Sequence, residues 1–529
     1  MQDVNVPQMP QADEQIFTSE SFTWTVVANG EAETSRLARH LASFVRPGDL
    51  ITLSGGLGVG KTSFARGLIR AVLREPAVEV PSPTFTLMQV YEGENFPVIH
   101  ADLFRLQSRA ELEALGWEEM SENALVLVEW PERAGVDTAA ERLDVTLALS
   151  PAVAVKASDE RIVTFTGSGA WRSRLRLVKA ASDLLAARGW NEAKREFIQG
   201  DASTRAYERL RRQGETAILM ISPPRPDGPP LRDGRPYSAI AKLAERAEAF
   251  VAMAQGLAEI GYSSPKILGR DLDEGVLIIE DLGEEGVVAA KGPIAERYAL
   301  ATELLADLHR RALPESLPID QAREHAIPRY DLEALLVEVD LLNDWYAPHV
   351  LGSAVPASTR AEFARHWRAA LVPIVTGARS WTLRDFHSPN LLWLPERAGL
   401  AKLGLIDFQD TVIGHPAYDL ASLLQDARVD VPPELELKLL AAYTLARKLA
   451  EPKFDLASFA AAYATLGAQR TTKILGIFAR LDRRDGKPQY LAHLPRLKKY
   501  LMRNLTHPAL RDLKAWYETN LPGVFGAAR

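Results

Sequence analysis

The stretch "SGGLGVGKT" sets Gly55, Gly58 and Gly60 ahead of Lys61 and Thr62. Glycines at this spacing let backbone N–H groups turn onto phosphate oxygens, while the lysine reaches the terminal phosphates and the hydroxyl meets Mg2+. Downstream, "PSPTF" carries Thr84, placed to sense the last phosphate, and "HADLFRL" carries Asp102. Asp102 either completes the Mg2+ shell begun by Thr62 or serves as a helix N-cap. In "LVEWPER", Glu129 can orient a water or a partner, and Trp130 packs near a base or in the core; His100 reads as core. A second group lies far along the chain. "WTLRDFHSPNLLWL" holds Asp385 and, five residues on, Asn390, and "LGLIDFQD" holds Asp407. Phosphoryl transfer to a hydroxyl needs this set: Asp385 as the base, Asn390 and Asp407 as oxygen ligands for Mg2+. His387 either touches substrate or holds the loop.

Around this second group, "QGDASTRAYERL" places Gly200 and Ser203 in a loop between strands, either over nucleotide phosphates or as a plain hairpin turn. "LIIEDLG" offers the backbone of Glu280 to Leu282 to adenine. The strand "TAILMI" has Met220 where a phosphate-pairing lysine is expected, which leaves Arg205 as a substitute cation.

The elements that must hold these residues follow from periodicity. "DLITLS" is a buried strand running into the glycine loop, and Phe64, Leu68 and Val72 recur as one face of a helix after it. The runs "PVIHAD", "ALVLVEW", "LDVTLAL" and "RIVTFT" continue the alternation expected of an α/β domain. That domain is expected to span 16–170 behind a flexible tail at 1–15, with a boundary in the Gly/Ser stretch at 167–172. Residues 171–529 form the second domain. Its small lobe, about 185–285, has strands at "REFIQ", "TAILMI" and "GVLIIED" and one helix over 238–259; the remainder, about 286–529, is helical.

Composition narrows the classes. Hydrophobic residues are 47% and charged residues 25%, values of a globular chain, and a net charge of -7 argues against a general nucleic-acid or membrane coat. The chain has no cysteine, which excludes disulfides, thiolate metal sites and cysteine nucleophiles and fits the cytoplasm. The N-terminus lacks a basic start followed by an apolar run, so neither export nor a membrane anchor is expected. The basic run at 480–503 is either a solvated helix face or an RNA contact; its interspersed leucines favour the former.

"SGGLGVGKT", "PSPTF", "HADLFRL" and "LVEWPER", in this order, resemble the TsaE family of P-loop ATPases. The resemblance implies ATP with Mg2+ on Lys61, Thr62 and Asp102, a switch at Thr84 and a required Glu129. It also implies work with TsaB- and TsaD-like partners in making threonylcarbamoyladenosine, touching tRNA only through that assembly. The second half resembles the aminoglycoside phosphotransferase and choline kinase family, although Arg384 stands where that family commonly has histidine. "GDASTRAY", "RDFHSPNLLWL", "LIDFQDTVIGHPAYDLASLLQDAR" and "QRTTKILGIFARL" bring it close to the AmgK-type kinases of N-acetylmuramate and N-acetylglucosamine. The resemblance implies phosphorylation of an amino sugar at its anomeric hydroxyl, in cell-wall recycling. The expected fold is an α/β P-loop NTPase domain followed by a bilobal protein-kinase-like α+β domain. A choline, ethanolamine or aminoglycoside kinase, or a nucleotide-binding scaffold without catalysis, are the alternatives for the second half.

Overall fold

The computed structural model describes residues 21–151, 159–198, 205–224 and 228–524. The expected tail at 1–15 therefore lies outside the described residues, as do Gly200 and Ser203. The chain divides into two compact units, Met1–Ala193 with Phe197–Ala206, and Lys194–Glu196 with Tyr207–Arg529.

The first unit is built on β1 (Phe22–Asn29), α1 (Gly30–Leu41), β2 (Leu50–Ser54), α2 (Lys61–Leu73), β3 (Met88–Tyr91), β4 (Val98–Asp102), β5 (Leu125–Glu129), β6 (Arg142–Leu149) and β7 (Glu160–Ser168). They form one sheet in the order β1-β7-β6-β2-β5-β4-β3. Its centre, β6-β2-β5-β4, is parallel, and β4 and β5 are buried along their whole length. Near-continuous apolar strands of this kind are what a sheet covered on both faces requires. Three neighbouring strands end together: Leu53 of β2 pairs with Glu129, which pairs with Asp102. The carboxyl ends of parallel strands are where such sheets bind ligands, so the sheet order gathers residues that are far apart in the chain.

The expected boundary near residue 170 moves. Helix α3 (Ala170–Ala187) packs on β1 and β7, and the first unit runs on to Ala193. Trp171 and Leu175 are buried, and the Arg174 guanidinium grips the Asp49 carboxylate at 2.6 and 2.7 Å and the Phe44 carbonyl at 3.1 Å. A bidentate pair of this kind fixes position as well as charge. Glycine and serine at 167–169 mark the turn into this helix, rather than a domain edge.

The second unit opens on a five-stranded sheet of β8 (Lys194–Ile198), β9 (Ala206–Arg212), β10 (Glu215–Ile221), β11 (Ile267–Asp271) and β12 (Val276–Glu280), ordered β11-β12-β10-β9-β8. The three expected strand runs fall on β8, β10 and β12. The single helix expected over 238–259 is instead broken into Tyr237–Ile240 and α4 (Ala247–Glu259). Lys242 takes a left-handed φ of 58°, and the Ala244 amide is drawn to the Asp410 carboxylate at 2.6 Å. Helix periodicity continues through the break because both pieces bury the same kind of face.

The remainder is mainly helical, with α5 (Ala295–Leu308), α6 (Leu332–Leu341), α7 (Ala417–Leu424) and the long α8 (Leu456–Asp485). Among the small antiparallel pairs that interrupt it, two frame the catalytic loop: β13 (Ser380–Thr382) with β16 (Val412–Gly414), and β14 (Leu391–Trp393) with β15 (Leu403–Leu405). Asp385 and Asn390 lie between β13 and β14, and Asp407 follows β15.

Candidate active sites

In the first unit the glycine loop joins β2 to α2. Gly55 has φ 135°, and a Cβ there would lie 2.2 Å from the Leu147 carbonyl oxygen, so only glycine fits. Gly60, at φ 108°, precedes α2, whose first amides have no side-chain cap. Uncapped amides at a helix start are anion donors. Lys61 Nζ donates to the carbonyls of Gly55 and Gly56, both at 2.9 Å, and sits 3.7 Å from the centre of the Trp130 ring. Burial lowers the pKa of this lysine, while Glu129, Asp102 and Glu132 act in the opposite direction. Trp130 is half-buried, outside the core proper, and lies against the lysine.

The oxygen ligands sort differently from the simplest expectation. The Thr62 hydroxyl donates to Glu129 Oε1 at 2.8 Å, whereas Asp102 Oδ2 accepts from Ser82 at 2.6 Å and from Thr84 at 2.9 Å. Asp102 Oδ1 also accepts the Phe104 amide at 3.1 Å, a capping contact at the end of β4. The switch segment is thereby tied to the carboxylate. Glu129 and Asp102 end adjacent strands and Thr62 lies in the first turn of α2; all three are hard oxygen donors, a set suited to Mg2+. From the sequence His100 reads only as core, and Arg161 is not singled out. His100, fully buried, meets Glu129 Oε1 through Nε2 at 2.9 Å, and Arg161 Nε donates to the Val59 carbonyl at 2.9 Å, bracing the loop from β7. The alternation of β4 puts His100 and Asp102 on one face, a usable signal for the histidine; nothing local marks Arg161.

In the second unit, Asn390 Nδ2 donates to the Asp385 carbonyl at 2.9 Å and lies 3.4 Å from Asp407 Oδ2, while Gln409 Nε2 donates to Asp407 Oδ1 at 2.7 Å. The three expected residues are therefore adjacent. Among the described residues no three His, Asp or Glu side chains converge as a metal cluster. Mg2+ needs only one or two protein carboxylates, since phosphates and water complete its shell, so Asp407 and Asn390 suffice. Arg384 and Asp407 both adopt left-handed backbone, φ 65° and 58°. Such conformations in non-glycine residues are strained and persist where the surroundings impose them.

Those surroundings are explicit. Asp419 of α7 accepts the amides of Leu383 at 2.7 Å and Arg384 at 2.9 Å, and Asp426 accepts the Ser388 amide at 2.9 Å and hydroxyl at 2.6 Å. Arg384 is buried, donating to Glu338 at 2.5 Å and to the carbonyls of Ala241 and Lys242 at 3.0 and 3.2 Å. The helix break at 241–246 thus frees carbonyls that Arg384 uses. Lys473 of α8 also reaches Glu338 at 3.0 Å, and Gln469 does so at 2.9 Å. Burial pushes the Asp385 carboxyl up, but His387, Lys473, Arg384 and Arg470 outweigh it and hold the group below the usual carboxylate range. Burial lowers the pKa of His387 in turn, keeping it neutral at pH 7, so the standing cations carry that effect. An ionised carboxylate that a hydroxyl can still reach, in a strained loop, is the state required of a base.

Three other expected positions behave less simply. The Glu280 amide is spent on the Lys266 carbonyl at 2.9 Å, and its side chain meets Arg397 at 2.7 Å. Leu282 is buried. Met220 is fully buried in β10, in register with Leu277, and Arg205 is buried at the entrance to β9.

Residues 28–156 match the family model "Threonylcarbamoyl adenosine biosynthesis protein TsaE", and residues 194–460 match the "Phosphotransferase enzyme family". An N-acetylmuramate/N-acetylglucosamine kinase of Caulobacter vibrioides is 40% identical over 65% of this chain and 96% of its own length. TsaE proteins of Rickettsia felis and Rickettsia bellii are 43% and 41% identical, each over 20% of this chain and over 62% and 73% of their own lengths. With a strained Asp385 loop beside Asn390 and Asp407, and a family match over just over half its length, the chain belongs to the phosphotransferase enzyme family and carries a TsaE-family domain at its N-terminal end.

Proposed function

We propose that the second unit transfers the γ-phosphoryl group of ATP to the anomeric hydroxyl of N-acetylmuramate or N-acetylglucosamine. The hydroxyl proton passes to Asp385, the sugar oxygen bonds to the γ-phosphorus, and the bond to the bridging oxygen breaks to release ADP. Asn390 and Asp407 hold the Mg2+ that offsets charge on the phosphates, and Gln409 fixes the Asp407 carboxylate. Asp419 and Asp426 hold the loop backbone, and the Arg384–Glu338–Lys473 cluster keeps Asp385 ionised. The observation that carries this reading is the juxtaposition of Asp385, Asn390 and Asp407 in a chain 40% identical to a kinase of these sugars.

The first unit, on this proposal, binds Mg-ATP at Gly55–Thr62 and serves tRNA threonylcarbamoyladenosine formation together with TsaB- and TsaD-like proteins. Thr84 reports the γ-phosphate to Asp102, and Glu129 orients the attacking water or the partner. Both activities belong to the cytoplasm, where ATP and tRNA are found; among the described residues no helix is long and apolar enough to cross a membrane. The test is ADP release by the whole chain with each sugar and with choline, ethanolamine and an aminoglycoside. Turnover with the amino sugars supports the reading, and turnover confined to the amino alcohols or the aminoglycoside refutes it.

A further inference from the structure

Along α8, from Gln469 to Lys473, each polar side chain has a partner within the protein, with one exception. Gln469 and Lys473 meet Glu338, Thr471 donates to the Gly467 carbonyl at 2.7 Å, and Thr472 meets the Tyr517 hydroxyl at 2.7 Å. Arg470 lies among them, only 5% exposed, with no hydrogen bond, ion pair or ring contact among the described residues. Its nitrogens are not sealed off from solvent. Gln469 and Lys473, on either side of it in α8, both reach Glu338, which Arg384 of the catalytic loop also meets, so α8 passes that loop at Arg470.

A guanidinium with so little exposure favours an anionic acceptor over water, because charge-assisted hydrogen bonds are the stronger ones. No protein carboxylate is spare for it. Glu338 is already shared by Arg384 and Lys473, Asp426 is taken by Ser388 and the Arg428 amide, and Asp385 must stay open to a hydroxyl proton.

We propose that Arg470 receives the carboxylate of an acidic sugar acceptor and so sets the sugar's hydroxyl against Asp385. This rests on the sugar-kinase reading above, and it adds the basis of selection: N-acetylmuramate carries a carboxylate and N-acetylglucosamine does not. Arginine suits the task because its planar fork matches a carboxylate with two parallel hydrogen bonds. The transferred phosphoryl group is the other oxyanion within reach, and it is common to every acceptor.

The experiment compares kcat/KM of the whole chain for N-acetylmuramate, its methyl ester and N-acetylglucosamine, in the parent, Arg470→Gln and Arg470→Lys. The parent should prefer the acid to the ester by roughly ten- to a hundredfold, the range of a charge-assisted contact. That preference should collapse toward one in Arg470→Gln, chiefly through KM for the acid, and be partly kept in Arg470→Lys. Three results overturn the proposal: a parent indifferent to esterification, an acid preference unchanged in Arg470→Gln, or equal losses on all three acceptors, which would mark a phosphoryl contact. A parent that phosphorylates none of them contradicts the kinase reading itself.

Discussion

Asp385 meets two opposed demands: it must be open to a sugar hydroxyl, and its side chain is 37% exposed, yet it must carry a charge beside a packed loop. Partial burial pushes its carboxyl up, and His387 with the cations of α8 and Arg384 outweighs that. Asp385→Asn keeps the shape and removes the base, so sugar phosphorylation should fall by about a hundredfold or more while ATP hydrolysis by the first unit persists. An unchanged sugar rate would contradict its role. In the first unit Lys61 is held by the loop's own carbonyls, an arrangement that phosphate oxygens can replace. Lys61→Ala should abolish complementation of a strain lacking TsaE and leave sugar turnover within about twofold, as expected for a residue outside the kinase site. At this scale the sequence was most readable where chemistry is contiguous. Asp385 and Asn390 lie close in the chain, and Gly55 to Thr62 form one loop. Glu129 was visible as a strand-end acid, but its contact with Thr62 was not, because β2 and β5 are neighbours only through the sheet.

The elements supply what spacing cannot. Glu338 on α6, Arg384 after β13 and Lys473 on α8 come from three distant segments, and one buried carboxylate compensates two cations. Tyr330 also donates to it. Glu338→Gln leaves both cations uncompensated and should cost about 3–5 kcal/mol of unfolding free energy, measured by denaturant titration. Burial raises the Glu338 pKa, but Lys473 and Arg384 outweigh it and hold the carboxyl below its ordinary 4.5. A depressed carboxylate stabilises the fold in full above its unfolded value, and loses that contribution as pH falls through the lower folded value. The stability of the parent should therefore drop below pH 4.5, with a shallower fall in Glu338→Gln over the same window. A parallel decline in both proteins would remove Glu338 as the cause. Helix periodicity revealed α6 and α8 but not which face meets which. The break before α4 was hidden for the same reason, since the pull of Asp410 on Ala244 comes from far along the chain.

At the scale of the whole molecule, each unit holds its own phosphate-handling residues. The change of composition at 167–172 looked like an edge, yet α3 completes the first unit through Trp171 and the Arg174–Asp49 pair. An amphipathic helix announces that it packs, not against what. Residues 1–193 expressed alone should bind ATP and unfold cooperatively. A fragment ending at 170 would expose the β1–β7 face, leave Asp49 unpaired and lose that transition; equal stability of the two fragments would return α3 to the second unit. The central claim is that the second unit phosphorylates an amino sugar at its anomeric oxygen. The most direct measurement is the position of the new phosphate after the whole chain, Mg-ATP and N-acetylglucosamine or N-acetylmuramate are incubated together. The account predicts a phosphorus coupled by NMR to the proton on C1, absent in Asp385→Asn. A phosphate on any other hydroxyl, or no sugar phosphate alongside efficient phosphorylation of choline or an aminoglycoside, would contradict it.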